Sequence, residues 1–221
     1  MHGCDRITLK YLPILNEVLN GGLRIGFITE FAGSPWSLVK KLLHHILVDI
    51  VSSGYKVSII YHQYSDGLDT YLLNELLYLY NVSVTYFRKG IRIRRSFKPE
   101  DYIQSLSRSR SKILFLVDPF MEEYNLQIYS QLFRVLRRLV ERESTIIIFN
   151  RLDSKGLPYG GNLHRHLIHY LITFRRVDDL VDVNLLKSID SRPTSFYTTV
   201  YSFLGFSGDR GIQYKLLDWV V

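Results

Sequence analysis

The chain has 221 residues, 47% hydrophobic and 22% charged, the length and balance of a globular domain that buries roughly 70% of its unfolded surface. That composition excludes a disordered polyelectrolyte, a collagen-like fibre and a coiled coil, and no apolar run reaches the ~18 residues of a membrane span. Lys+Arg 28 against Asp+Glu 21 gives +7, a surplus that suits an anionic partner.

The chain opens at Met1 without a basic flank and long apolar core, so the expectation is a cytoplasmic protein with no signal peptide and no membrane partner. The single cysteine, Cys4, excludes an intrachain disulfide framework and a multi-cysteine zinc site. β-rich apolar runs bounded by turns or charges predict strands at Arg24–Phe31, Lys56–Tyr61, Val82–Arg88, Lys112–Asp118 and Ser144–Asn150. Between them, helical spacing predicts helices at Trp36–Ser53, Leu68–Tyr80, Pro99–Ser107 and Tyr124–Glu141. Strands alternating with helices imply βαβ crossovers and a mostly parallel, buried sheet. After Arg151 the pattern changes: Asp153 to Gly161 has loop chemistry, and Leu167–Arg176, Leu180–Ile189, Ser195–Phe203 and Gln213–Trp219 read as strands with short turns such as Ser207 to Gly211. The expectation is one α/β domain over 1–221, a parallel core with an antiparallel C-terminal extension.

Ligands of parallel sheets bind at the carboxyl ends of the strands. The first such end is Ala32-Gly33-Ser34-Pro35-Trp36-Ser37-Leu38-Val39-Lys40-Lys41. A phosphate-cradling loop needs converging amides, a lysine and a hydroxyl. Here one glycine lies in the loop, Trp36 is bulky and Pro35 has no amide hydrogen, although Lys40 is within reach of an anion. The bland reading is a tight strand-to-helix turn. Asp118 closes an apolar strand, the place of a magnesium-organising carboxylate. After the second strand the chain offers His62 and Gln63, with Asp66 as a fallback base.

Leu19-Asn20-Gly21-Gly22-Leu23-Arg24-Ile25-Gly26-Phe27-Ile28-Thr29-Glu30-Phe31, then Phe115-Leu116-Val117-Asp118, resemble in that order the start of the ATPase core and the Walker B strand of the archaeal and eukaryotic RecA/RadA recombinases. Ile147 to Asn150, Pro158 to Leu163, Ile189 to Pro193 and Gly208 to Ile212 continue the similarity. The resemblance implies a RecA-like core without the family's N-terminal DNA-binding domain, and a vestigial nucleotide site at Gly33, Ser34, Ser37, Lys40 and Asp118. Placed on the family's Walker A motif, the lysine falls on Val39 and the hydroxyl residue on Lys40; the catalytic carboxylate falls on Gln63 and the Asn-Gln pair of the fifth strand on Asn150-Arg151. Two catalytic functions are missing. The resemblance therefore implies a paralog that has no cofactor and does not hydrolyse ATP, acting in homologous recombination or DNA repair with another RecA/RadA-family subunit. The alternatives are an unconventional ATPase using Lys40 or Lys41 with Asp118, and a purely structural subunit.

Arg88, Lys89, Arg92, Arg94, Arg95 and Lys98 fall within eleven residues that hold no acid, and Arg108, Arg110 and Lys112 follow a short helix later. Arginine suits phosphate by its bidentate geometry, so the cluster reads as a sequence-independent DNA contact, single- or double-stranded. A solvated loop or an edge for an acidic protein are the other readings. Arg134, Arg137, Arg138 and Arg142, interleaved with Glu141 and Glu143, read as a solvated face. Of His164, His166 and His169, the first two diverge if Leu163–His166 is helical, and no carboxylate or cysteine sits at ligand spacing, so no metal is expected. Most tyrosines are expected in the core.

Recombinases of the resembled branch build filaments by passing a Phe-x-x-Ala segment to the neighbouring subunit. The sole alanine of this sequence, Ala32, follows Thr29 by three positions, so the segment is missing. Electron micrographs of the purified protein with DNA should show discrete small particles; regular helical filaments would contradict this.

Overall fold

The computed structural model describes residues 6–62, 65, 67–120 and 125–205, with residues 162 and 163 described by backbone alone. A short pair, β1 (Arg6–Ile7) and β2 (Leu23–Arg24), brackets α1 (Pro13–Val18), whose proline sits in the first turn where a missing N–H costs nothing. β3 (Ile28–Ser34) follows, and Pro35 alone separates it from α2 (Trp36–Ser52). β4 (Val57–His62) leads to α3 (Thr70–Leu79), where the Asp69 side chain accepts from the Tyr71 and Leu72 amides. Then come α4 (Val84–Gly90), β5 (Ile91–Ser96), α5 (Pro99–Ser107) and β6 (Ile113–Val117). α6 (Leu126–Glu141), capped by Asn125, precedes β7 (Thr145–Arg151) and α7 (Gly161–Leu167). β8 (Tyr170–Val177), β9 (Leu180–Lys187), β10 (Thr194–Thr199) and α8 (Val200–Phe203) complete the described chain.

Among the described residues, eight strands form one sheet in the order β10-β9-β8-β3-β7-β6-β4-β5. From β8 to β5 every pairing is parallel; β8-β9 and β9-β10 are antiparallel. This is the mostly parallel core with an antiparallel extension that the sequence predicts. α2, α3 and α4 cover one face, with Leu42, Ile46, Leu73, Leu76 and Phe87 against Phe31, Ile59 and Phe115. α5 and α6 cover the other, with Tyr102, Leu106, Leu132 and Leu136 against Ile60, Leu116 and Ile148. Each such side chain, fully buried, contributes about 1.5–3 kcal/mol of transfer free energy. No helix among the described residues is long and apolar enough to cross a membrane.

Four expectations are corrected. Val82–Arg88, read as a strand from its Val, Thr, Tyr and Phe content, is mainly α4: Ser83 caps it, and Phe87 alone is buried. Tertiary context overrides β-propensity there. The strand comes later, as β5, within the basic run that reads as a turn or loop. β3 runs three residues past the predicted end, so Gly33 and Ser34 belong to the sheet. Ser195–Phe203 stops as a strand at Thr199, whose hydroxyl accepts from the Ser202 amide and starts α8. Tyr71 and Tyr78 are 83% and 90% exposed on α3 rather than in the core. The expected strand Gln213–Trp219 and turn Ser207–Gly211 lie outside the described residues, as does Cys4.

α2 carries polar groups into the core. His44 donates from Nδ1 to the Lys40 carbonyl (2.5 Å) and accepts at Nε2 from the Asp69 amide (2.8 Å), which ties α2 to the cap of α3. His45 Nδ1 meets the Tyr80 hydroxyl at 2.8 Å, and the Tyr80 ring stacks on Tyr11 with centroids 3.7 Å apart. Asp49 Oδ2 accepts from the Tyr11 amide (2.8 Å), while its buried Oδ1 has no donor among the described residues. Burial pushes the His45 imidazole down to about 3 and the Asp49 carboxyl up to about 6, the latter opposed by the Tyr11 and Lys10 amides and the Lys10 charge.

These shifts act on stability with opposite signs. As pH falls below 6.5 the unfolded chain protonates His45 first, so its contribution is lost between 6.5 and about 3, and His44, also shifted downward, adds to that loss. Asp49 protonates first in the folded state, so its contribution is full below 3.8 and is lost as pH rises through about 6. Between about 4 and 6 the slopes of His45 and Asp49 offset each other. Asp49→Asn removes one of them. Urea unfolding should find this variant more stable than the wild type at pH 7.5, by on the order of 2 kcal/mol, but falling more steeply from pH 6 to 4. Parallel pH curves for the two proteins would refute the assignment.

Candidate functional site

The carboxyl ends of β3, β6 and β7 converge at the β3–α2 joint. Gly33 pairs with Arg151 on one side and Phe174 on the other, and Ser34 pairs with Arg175. A Cβ on Gly33 would lie 2.3 Å from the Phe174 ring, so the glycine is needed for close packing of strand on ring, not for a phosphate cradle. The chain turns at Pro35, whose carbonyl accepts from the Leu38 amide at 3.0 Å to begin α2. Ser37 is exposed, Lys40 is half-buried, and Val39 is wholly buried in the core. Lys41 is half-buried as well, its ammonium pushed down by burial and by the charge of Arg176.

Asp118 follows β6 directly at φ 52, a left-handed conformation that aspartate tolerates, and its amide donates to the Phe149 carbonyl at 2.8 Å. Its Oδ2 accepts from Nε of Arg151 at 2.9 Å. The Arg151 guanidinium in turn lies 4.7 Å from the Trp36 ring centroid, a cation–π stack. Burial pushes the Asp118 carboxyl up, and Arg151 pulls the other way. Aspartate, arginine and indole thus form one stack across the strand ends. Gln63 and Asp66 lie outside the described residues.

A second polar group lies behind it. Glu30 of β3 is wholly buried; one carboxylate oxygen accepts from Nδ2 of Asn150 at 2.7 Å, the other meets Nε2 of His164, and the His164 ring packs on Phe120 at 4.6 Å. Nδ2 of Asn150 also reaches the Tyr159 carbonyl at 2.8 Å. With the Leu152–Pro158 bridge and the Asp153 turn, this holds residues 152–160 against the sheet. The three histidines have separate uses: His164 faces Glu30, His169 accepts from the Ile28 amide at 3.1 Å, and His166 is exposed.

The basic cluster is at the far edge of the sheet. Arg88 and Lys89 end α4, where cations suit the helix dipole. Arg92, Arg94 and Arg95 lie exposed on β5, the edge strand, which pairs only with β4 among the described residues. Lys98 starts α5, Arg108 ends it, and Arg110 stands in the loop to β6. Arg94 Nη1 donates to the Ser105 carbonyl at 3.3 Å, so the end of α5 abuts the strand and brings Arg108 to the same edge. Lys112 is directed elsewhere, to the Arg142 carbonyl at 3.3 Å.

Sequence reasoning found Asp118 and the basic cluster, but missed the roles of Arg151, Trp36, Glu30 and His164. A signal was present for the first pair: an arginine ending one strand, an aspartate just past the end of another, and the bulky Trp36 in a tight strand-to-helix turn. Glu30 alternates with apolar residues in a buried strand, which by itself calls for a partner.

No protein-family model and no curated protein matches the chain. Among solved structures it is similar to one described as the crystal structure of the RadB recombinase, with a TM-score of 0.71 and 15% identity, covering 89% of this chain and 97% of that one. The likeness is one of fold: a RecA-like α/β architecture with the strand arrangement described above.

If Arg151 balances the buried Asp118 carboxylate, Arg151→Met should destabilise by about 2 kcal/mol, because a charge stays behind without its partner. Asp118→Asn should destabilise less, and the double variant should recover about 1–2 kcal/mol relative to additivity in urea unfolding. Strict additivity would mean that the pair contributes nothing.

Proposed function

We propose that the protein is a non-hydrolysing relative of the RecA/RadA recombinases: an accessory factor in homologous recombination and DNA repair that binds DNA and works with another recombinase-family subunit. The observation that carries this reading is the β3–α2 joint. A bound triphosphate needs a loop of converging amides, a lysine for the outer phosphates and a hydroxyl and carboxylate for magnesium. Here the joint is the single residue Pro35, Val39 is in the core, and Arg151 holds Asp118 under Trp36. These residues do not fit a nucleotide. The same engagement of Asp118 argues against an ATPase built on Lys40 or Lys41.

The DNA part rests on charge. Six cations without an acid between Arg88 and Lys98, three of them exposed on an edge strand, offer a polyanion a continuous contact. The link to recombination, and to a related subunit, rests on the likeness of fold and on the ordered motifs of the sequence.

Calorimetry should find no ATP affinity tighter than about millimolar, ~4 kcal/mol, and no DNA-stimulated hydrolysis. Micromolar affinity, or turnover abolished by Asp118→Ala, would establish the ATPase reading instead. DNA affinity should fall steeply with salt and vary little with sequence; Arg92→Ala, Arg94→Ala and Arg95→Ala together should lower the log–log salt slope by about 2–3. Unchanged affinity in that variant would assign the cluster to a protein partner or to solvent.

A further inference from the structure

The edge that carries the arginines also carries exposed apolar surface. Ile93 is 52% exposed in the middle of β5, and Phe97, just past its end and between Arg95 and Lys98, is 61% exposed. The register sorts the strand's side chains. Ile93 and Arg95 lie opposite Ile59 and Tyr61, on the face covered by α2 and α3, whereas Arg94 lies opposite Ile60 and reaches α5. Cations therefore stand on both faces of the edge, with apolar groups between them.

Charge on an edge strand discourages pairing with other sheets, but exposed Ile93 and Phe97 work against that purpose. A phosphate backbone explains the arginines and leaves the two apolar side chains idle. The bases of a nucleic acid account for both, and their flat faces are open only when the strand is unpaired.

We propose that β5 and the turn after it form a track for single-stranded nucleic acid, with Arg92, Arg94, Arg95 and Lys98 along the backbone and Phe97 stacking on a base. This rests on the nucleic-acid reading above and adds the form of the ligand. Duplex DNA presents only phosphates to the track and binds more weakly. Phe97 is a stacking residue whose removal leaves the charge intact.

The test uses fluorescence anisotropy of the whole chain with three labelled probes of equal length: oligo-dT, a fully abasic strand and a duplex. Oligo-dT should bind roughly tenfold tighter than the abasic strand, the size of one base–aromatic stack. Phe97→Ala should shrink that preference to about twofold or less with the salt slope unchanged, and Phe97→Trp should keep it, with indole emission quenched by oligo-dT and not by the abasic strand. Equal affinity for all three probes, with a salt slope that the triple arginine variant lowers, would overturn the single-strand track and leave the DNA reading standing. Salt-dependent binding that prefers duplex would overturn the track as well. No salt-dependent binding to any probe would remove both, and point to an acidic protein as the partner of this edge.

Discussion

One residue, Pro35, stands between the hydrogen-bonded end of β3 and the first turn of α2, and the character of the whole carboxyl edge follows from it. With the strand paired through Ser34, the backbone has no slack to open a loop. The side chains that start the helix are then pressed against the ends of β6 and β7. Trp36 supplies a face, Arg151 lies on it, and Asp118, buried and in need of a counter-charge, is satisfied within the protein. An aspartate at this depth left alone would lose several kcal/mol of hydration, so the arginine is a structural requirement of a closed joint.

The charges of the molecule are divided by place. At the joint, Arg151 is spent on an internal pair. At β5, two strand spacings from β6 and so about 10 Å across the sheet, the arginines face water. The arginines of the two regions thus meet different surroundings, a carboxylate inside the protein at the joint and water at the edge.

How far the sequence foretells this differs by element. Strands buried on both faces, such as β6 and β7, are read correctly because continuous Ile, Leu, Val and Phe runs leave little alternative, whereas the small and polar end of β3, Ala32 to Ser34, hides its last three residues. β5 escapes because its alternation Ile91-Arg92-Ile93-Arg94 is short, is broken by Arg95 and lies within a run of six cations that suggests a solvated loop; pairing with β4 settles the strand. α4 is misread for the converse reason, since its Val, Thr, Tyr and Phe favour strands while Ser83 and the packing of Phe87 on the core set a helix. At the joint, departures from a phosphate loop are legible one residue at a time. That Arg151, 115 positions after Trp36 in the chain (151 − 36), fills the space is a long-range fact that spacing does not reveal.

The buried group of Glu30, Asn150 and His164 has a consequence for how the chain assembles. Glu30 meets partners that lie 120 and 134 residues further along, on β7 and α7. A slip of one residue in β3 would turn its carboxylate to the opposite face and leave it without either, so the group fixes register where a row of aliphatic side chains would tolerate error. During synthesis β3 emerges early, at the centre of the final sheet, and holds an unsatisfied carboxylate until β7 and α7 arrive. Such dependence on distant contacts slows folding, because the centre of the sheet is incomplete until β7, α7 and β8 are in place.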